Sequence, residues 1–488
     1  MSGGGIDRLT ALDASFLHME HEGLPLHVAS VVTFEGGQLL DARGGLRLRD
    51  LRAQVSARLD GLPRLRRRVV WPPLGAGRPC WVDDPHFDVA NHVDSVRLPP
   101  GSGRDGLRHL AEHLVAQSLP LDRPLWHLRF VTGLADGRVG LIERVHHALV
   151  DGVSGVDVAT VLFDLTPDVE PSRSSGWSAT SPPTAVAMAV QGLASQGLAP
   201  VRVLRSAAGA IARPVDVLRR GAHLATALGT VALDGVTAPR SSLNVPVGPS
   251  RQLAWIEASL REVKEAGRIH RATANDVVLA SVAHGLRTLL LHRGEIIADD
   301  DVLKVLVPVS LRDEGQHGAL GNRVGALLLR LPIGIADPID RLQAVARTTD
   351  RLKQRREATT TELLLGLADL LPAALSGRLA RLTREQRLVN VVVTNVPGPP
   401  FPLYCRGARM VDAFPVVPLG GNMAVGVAIL SYDGALNVSL TADPEAVPDL
   451  EVLRAGIEDG FAAVGAACPR PRDVHAPPLV GRATPVTS

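Results

Sequence analysis

The sequence predicts an α/β protein built from two domains of one kind, each a sheet with flanking helices. Three observations predict it. The chain has 488 residues, too many for one ordinary core, and about 200 residues per domain is the natural division. Strand-like and helix-like runs alternate within both 1–182 and 246–468. Between them, 183–245 shifts to Ala, Val, Leu and Arg, as a helical crossover would.

The elements follow in order. "PLHVASVVTFEG" (25–36) is strand-like. "LRDLRAQVSARLDGLPRLRRRVV" (48–70) has helical apolar spacing that breaks at Gly61 and Pro63. "LRHLAEHLVAQSL" (107–119) is a second amphipathic helix. "WHLRFVTGL" (126–134), a turn, and "VGLIERVHH" (139–147) form a hairpin. Residues 168–182, rich in Pro, Ser and Thr, read as a loop. The stretch 183–240 carries Arg202, Arg205, Arg213, Arg219 and Arg220 and reads as one or two basic amphipathic helices broken at Pro214. It is either a crossover packed on a domain or a contact with a membrane or lipid-droplet surface. From 250 come strands "RQLAWIEASL", "LKVLVPVSLR", "GALLLRLPIG", "LVNVVVTNV" and the run "NMAVGVAILSYDGALNVSLTAD". Helices are expected at "ANDVVLASVAHGLRTLLLHRG", 337–356, 361–371 and 449–463. The proline-rich end, 469–488, is expected to be disordered.

Bulk composition narrows the function. Hydrophobic residues make up 45% and the net charge is +2, so a large core can form and no global field draws in nucleic acid. Only Lys264, Lys304 and Lys353 of the 52 basic residues are lysines. That arginine excess reads as the coding bias of a high-GC bacterium. Cys80, Cys405 and Cys468 are few and far apart, which suits a reducing compartment. No signal peptide and no stretch of ~18 apolar residues is seen. A cytoplasmic location is expected, with any membrane or lipid-droplet contact peripheral.

"ERVHHALVDGVSG" (143–155) carries the chemistry. Side chains alternate along a strand, so His146 and His147 point opposite ways and cannot both reach one reacting atom. One is the worker and the other supports it. Adjacency also argues against a metal site, and "HMEH" (18–21) has no evident ligand partners. After His147 the apolar spacing becomes helical, so Gly152 and Gly155 lie in a strand-to-helix turn. Asp151 would tie that turn and fix the histidine. A histidine at a strand end suits a general base. No G-x-S-x-G elbow or reactive cysteine context favours a covalent intermediate.

H-H-x-x-x-D-G, here "HHALVDG" (146–152), resembles the signature of the chloramphenicol acetyltransferase-like, CoA-dependent acyltransferases. "LTALDASFLHMEHEGLPLHV" (9–28) is similar to the opening of the bacterial wax ester synthase/diacylglycerol acyltransferase family. So are "PLDRPLWHLRFVTGL" (120–134) with Pro124, Leu125 and Trp126, and "TANDVVLASVAHGLRTLL" (273–290) with Asn275 and Asp276. "VPVSLR" (307–312), "GNRVGALLLRLP" (321–332) and "TNVPGPP" (394–400) complete the set. The chain departs from the family opening at Ala11 and Leu26.

The resemblance implies two chloramphenicol acetyltransferase-like α/β domains, each a mixed sheet with flanking helices, and an active-site tunnel at their interface. It implies His147 as the base, with His146, Asp151 and Gly152 in support. It implies transfer of a long-chain acyl group from acyl-CoA, a substrate rather than a cofactor, to diacylglycerol or a long-chain fatty alcohol. No metal is expected. Thr394 and Asn395 are either a strand end or contacts to the oxyanion or CoA. Pro124 and Leu125 read as structural, and Trp126, beginning a strand, as either core or a wall of the substrate site, with core the favoured reading. Asn275 reads as a helix N-cap, with Asp276 favouring the helix dipole. Two rivals are a polyketide, glycolipid or carrier-protein thioester as the partner substrate, and a non-catalytic lipid-binding member of the family.

Overall fold

The computed structural model describes residues 6–21, 23–99, 101–135, 137–150, 163–168, 176–197, 237–310, 324–355 and 386–466. The expected helix at 361–371 and the tail at 469–488 lie outside them.

The described helices are α1 (Ala11–Met19), α2 (Leu48–Arg58), α3 (Gly103–Val115), α4 (His147–Val150), α5 (Ala185–Gly197), α6 (Leu260–Ile269), α7 (Ala274–His292), α8 (Pro338–Arg355) and α9 (Leu450–Ala463). The first sheet holds β1 (His27–Phe34), β4 (Val93–Arg97), β5 (Trp126–Thr132), β6 (Val139–His146), β11 (Tyr404–Cys405) and β12 (Ala408–Val416), in the order β11-β12-β1-β6-β5-β4. The second holds β7 (Gln252–Ser259), β8 (Val302–Ser310), β9 (Val324–Pro332), β10 (Val391–Pro397), β13 (Val425–Tyr432) and β14 (Ala435–Ala442), in the order β7-β14-β13-β10-β8-β9. A small hairpin pairs β2 (Arg67–Val70) with β3 (Cys80–Asp83). Both large sheets mix parallel and antiparallel pairs. The expected fold class, two sheet-bearing α/β domains, is the observed one.

One exchange crosses the expected boundary at 246. Strands β11 and β12 lie in 246–468, yet β12 pairs antiparallel with β1, from Ala29 opposite Val416 to Phe34 opposite Met410. The C-terminal half thus lends strands to the N-terminal sheet. Their sequence hides them. β12 contains Pro415, which lacks a ladder donor, and Asp412, a poor strand former.

A second expectation also changes. Within 183–245 the described helix α5 reads AVAMAVQGLASQG and carries no charge. It docks on the first domain: Arg8 donates to the Met188 carbonyl (2.8 Å), and Met188 is buried with Cys80 and Val82. The arginines that make the stretch basic lie outside the described residues.

Each half has its own core. The second is aliphatic, with α7 packed against α9 at very short range. A Cβ on Gly456 would lie 2.9 Å from the Gly285 Cα, so only glycine permits that crossing. The first is richer in aromatics, with Phe34, Trp81, Trp126, Phe130 and Tyr432. Between the halves, Ile142, Ala29 and Val31 of the first sheet meet Leu253, Trp255 and Phe414. Arg104 of α3 pairs with Glu257 of β7 and covers the Trp255 and Phe414 rings. Arg251 reaches back to the Gly23 carbonyl at 3.0 Å. Among the described residues no helix is long and apolar enough to cross a membrane.

Candidate active site

The central strand β6 ends at His146, one residue earlier than the sequence suggests, and His147 opens α4. The His147 amide donates to the Leu26 carbonyl (2.9 Å), and the His146 amide to the Leu125 carbonyl (2.9 Å). The junction is thereby pinned from both flanking strands.

His146 is fully buried. Its Nδ1 accepts from the Ala148 amide at 3.0 Å, and its Nε2 lies 2.7 Å from Glu20 Oε2. A nitrogen that accepts from an amide carries no proton. The ring proton therefore sits on Nε2 and is donated to Glu20. Both nitrogens are in use, and this ring is locked.

His147 differs in every respect. Its ring keeps partial exposure and stacks on Phe16, with centroids 4.2 Å apart and planes at 22°. Among the described residues its buried Nδ1 has no hydrogen-bond partner. Burial, helped by the nearby His146, holds its pKa down at about 4, while contact with its own backbone carbonyl pulls the other way. The imidazole is therefore neutral at ordinary pH.

Helix α1 serves both rings. Phe16 lies within it and Glu20 caps its C-terminus. A capping box between Thr10 and Asp13 starts the helix, and Leu9, Ala14 and Leu17 anchor it in the first core. Sequence alone singles out neither Phe16 nor Glu20, and "HMEH" reads there only as a metal site to be weighed. In the fold Glu20 holds His146, and His18 lies against Trp71 (5.1 Å). Among the described residues no three His, Cys, Asp or Glu side chains are placed to hold a metal ion.

The other motif residues are placed as follows. Leu125 and Trp126 are core, and Trp126 Nε1 donates to the Leu65 carbonyl at 2.7 Å. Pro124 is buried beside them, its carbonyl accepting from the Trp126 amide. Asp276 is buried. Its carboxylate accepts from Thr273 and, at 2.7 Å, from Thr349 Oγ1 of α8. The N-cap of α7 is Thr273, not Asn275: a capping box with Asp276 takes that place. Asn275 Oδ1 instead accepts from Asn395 Nδ2 at 3.1 Å, which joins two motifs 120 residues apart. Thr394 and Asn395 are neighbours on β10 and so face opposite sides of the second sheet. They do not form one contact surface. Asp151 and Gly152 lie outside the described residues.

Comparison with known proteins agrees with this architecture. Residues 9–278 match the wax ester synthase/diacylglycerol acyltransferase catalytic domain, and 320–464 match the WS/DGAT C-terminal domain. A Mycobacterium tuberculosis protein named as a diacylglycerol O-acyltransferase, tgs1, is 31% identical over 474 residues, covering 95% of this chain and 97% of its own length. A second from that organism, tgs2, is 31% identical and covers 93% and 98%. The solved wax ester synthase/diacylglycerol acyltransferase of Marinobacter aquaeolei VT8 has the same fold, with a TM-score of 0.67 at 23% identity, covering 94% of this chain and 98% of its own. The first condensation domain of the calcium-dependent antibiotic synthetase shares it at 0.55 and 16% identity, covering 96% and 98%. With both halves matched in order along one chain, this protein belongs to the wax ester synthase/diacylglycerol acyltransferase family of acyltransferases.

Proposed function

We propose that the protein moves a long-chain fatty acyl group from acyl-CoA to the hydroxyl of diacylglycerol or of a long-chain fatty alcohol, with His147 as the general base. One observation carries the choice of base. His146 has both nitrogens engaged, whereas His147 is neutral and its buried Nδ1 has no hydrogen-bond partner among the described residues. A tunnel between the two sheets would admit the thioester from one side and the alcohol from the other. The neutral imidazole takes the hydroxyl proton as the oxygen attacks the thioester carbonyl. The tetrahedral oxyanion collapses, and the same ring returns the proton to the departing CoA thiolate. Acyl-CoA is a substrate, so no resident cofactor is invoked. His146, Glu20 and Phe16 position the base, and Asp151 and Gly152 would shape the turn after it. Thr394, on one face of β10, is the better placed of the two candidates for an oxyanion or CoA contact, because Asn395 is tied to Asn275.

The test is direct. Purified protein is given labelled palmitoyl-CoA and a panel of diacylglycerol, hexadecanol, sterol and water, and products are identified by mass. Triacylglycerol or wax ester is the expected product. CoA release with no esterified lipid would reject the proposal.

A peripheral position on the inner membrane face or on lipid droplets fits such substrates. Val186 and Val190, one turn apart on the uncharged α5, are 71% and 59% exposed and support an apolar contact. Co-sedimentation with vesicles tests it. Binding that Val186→Asp leaves unchanged would reject this helix as the contact.

A further inference from the structure

Arg251 is a buried cation that the reaction above does not use. It stands just before β7, at the entry to the second sheet, and is 7% exposed. Its guanidinium donates to three backbone carbonyls. Nη1 reaches Gly248 at 2.6 Å and Ser250 at 2.7 Å, both in its own loop, and Nη2 reaches Gly23 of the first half at 3.0 Å. Burial pushes its pKa below the ordinary guanidinium value, and the charge of Asp443 opposes that. Taking a cation out of water is costly, and here it orders three carbonyls in two separate loops.

Both ends of this link are firm. Asp443 is buried just after β14. Its Oδ2 accepts from the Gly248 amide at 2.6 Å, and its own amide donates to the Ala424 carbonyl at 3.1 Å. Nη1 is therefore held by a loop tied to the second sheet, and Nη2 is aimed at the first half. On the other side, Gly23 lies in a turn between His21 and Leu24, closed by the Leu24 amide on the His21 carbonyl at 2.9 Å. Leu24 and Leu26 are buried. Gly23 has φ +84°, and a Cβ there would lie 3.4 Å from Pro249, so the two loops meet in van der Waals contact.

The chain on either side of this turn holds the two histidines. Before it, the Glu20 carboxylate accepts from His146 Nε2 at 2.7 Å. After it, the Leu26 carbonyl accepts from the His147 amide at 2.9 Å. His27 follows, opposite His146 in the sheet. Burial depresses the His27 pKa, and the charges of Arg144, His146 and Arg251 add to that, which places Arg251 close to this strand pair.

We infer that Arg251 is a positioning residue for the reaction: from the second half it fixes the turn at Gly23, and through Glu20 and Leu26 that turn fixes the orientation of His146 and His147. This role rests on the reading of His147 as the base. Arg251 acts through the turn, so its loss misplaces the base without removing it. A misplacement of about 1 Å can cost about 10²-fold in rate.

Arg251→Met tests the role, because its stem still packs and its donors are gone. With the full-length protein, labelled palmitoyl-CoA and 1,2-diacylglycerol, kcat should fall about 10- to 100-fold while both KM values stay within about twofold. Arg251→Lys, which keeps the charge and can still reach a carbonyl, should recover part of kcat. Arg104→Ala breaks the ion pair with Glu257 between the same halves and should leave kcat per folded molecule unchanged. Nitrogen NMR of histidine-labelled protein gives a readout without turnover: the His146 and His147 ring signals should shift in Arg251→Met and stay in place in Arg104→Ala. If Arg251→Met does not fold, Gly23→Ala, which strains the same turn and leaves the guanidinium intact, should lower kcat and shift the signals in the same way. A folded Arg251→Met, or Gly23→Ala in its stead, with wild-type kcat or with unmoved ring signals would overturn the role. Equal losses in Arg251→Met and Arg104→Ala would overturn it too, since any loosening of the halves would then suffice. A wild type that acylates neither diacylglycerol nor hexadecanol, with ring signals that still shift in Arg251→Met, would overturn the acyl-transfer reading and leave the positioning of the rings standing.

Discussion

The two halves share an architecture and differ in what they bury. In the second, the aliphatic core takes Leu, Val, Ile and Ala with Phe461. Its buried polar groups hold the frame: Arg341 binds the carbonyls of Ile335 and Ala336, Asp443 binds the Gly248 amide, and Asp276 joins Thr273 to Thr349. In the first, histidines are buried at the strand ends. Burial lowers His147 and His92 to about 4 and His27 well below its ordinary value. The lesson is physical. A frame is stable when every buried polar group is satisfied. A base is useful when its lone pair is not: both halves leave some buried polar atoms unmatched, but among the described residues only the first leaves buried histidine nitrogens so, on His27 and His147.

Removing the proposed base should produce the largest effect. His147→Ala should cost ~10²–10⁴-fold in kcat/KM, the usual worth of a general base, with the melting temperature nearly unchanged. His146→Ala should cost less activity and more stability. Equal activity losses with normal melting would erase the distinction between the two rings.

Glu20→Ala comes next. It strips a fully buried imidazole of its acceptor, which costs about 1–3 kcal/mol, and activity should fall because the neighbouring ring loses its support. Thermal melting and kcat/KM are the measurements. Glu20→Gln should recover part of both. Unchanged kinetics in Glu20→Ala would mean that His146 needs no partner.

In the second half, Thr349→Ala leaves one carboxylate oxygen of buried Asp276 without its 2.7 Å donor. A loss of about 1–2 kcal/mol is expected, with kinetic constants per folded molecule unchanged. A fall in kcat at constant stability would show that this frame reaches the reaction.

The smallest effect is one of pH. His27 is buried, and among the described residues neither ring nitrogen has a hydrogen-bond partner. Its folded pKa lies well below 6.5. As pH falls below 6.5 the unfolded chain takes up a proton that the folded chain refuses, so stability is full above that pH and is lost below it. His27→Phe should therefore raise the melting temperature more at pH 5 than at pH 7. An equal gain at both would mean that the ring does not titrate on unfolding.

Much of this is legible in the sequence, for reasons that differ by residue. The alternation of side chains along a strand is enough to give His146 and His147 different roles. Trp126 reads as core because an aromatic that begins a strand is more often packed inside than set in a substrate wall, and it is core in the fold. Glu20 is not legible as a partner of His146, because 126 residues separate them and only the fold closes that gap. The N-cap at Thr273 is legible as T-x-x-D, but Asn275 is an equally good capping residue type two positions on and competes for the role. Helix α6 also carries its signal, Ser259 with Glu262 three residues on, and the stronger strand before it masks that signal. β12 is hidden by Pro415 and Asp412. Asp151 and Gly152, read as the turn, lie outside the described residues.

The central claim is that one histidine is locked while its neighbour is a neutral base. Nitrogen NMR of histidine-labelled protein, with His146→Ala and His147→Ala for assignment, tests it most directly. The account predicts that His146 is the Nε2–H tautomer, and that His147 is still neutral at pH 5.5, where an ordinary imidazole is mostly protonated. A His147 that titrates near 6.5, or a His146 that carries its proton on Nδ1, would contradict it.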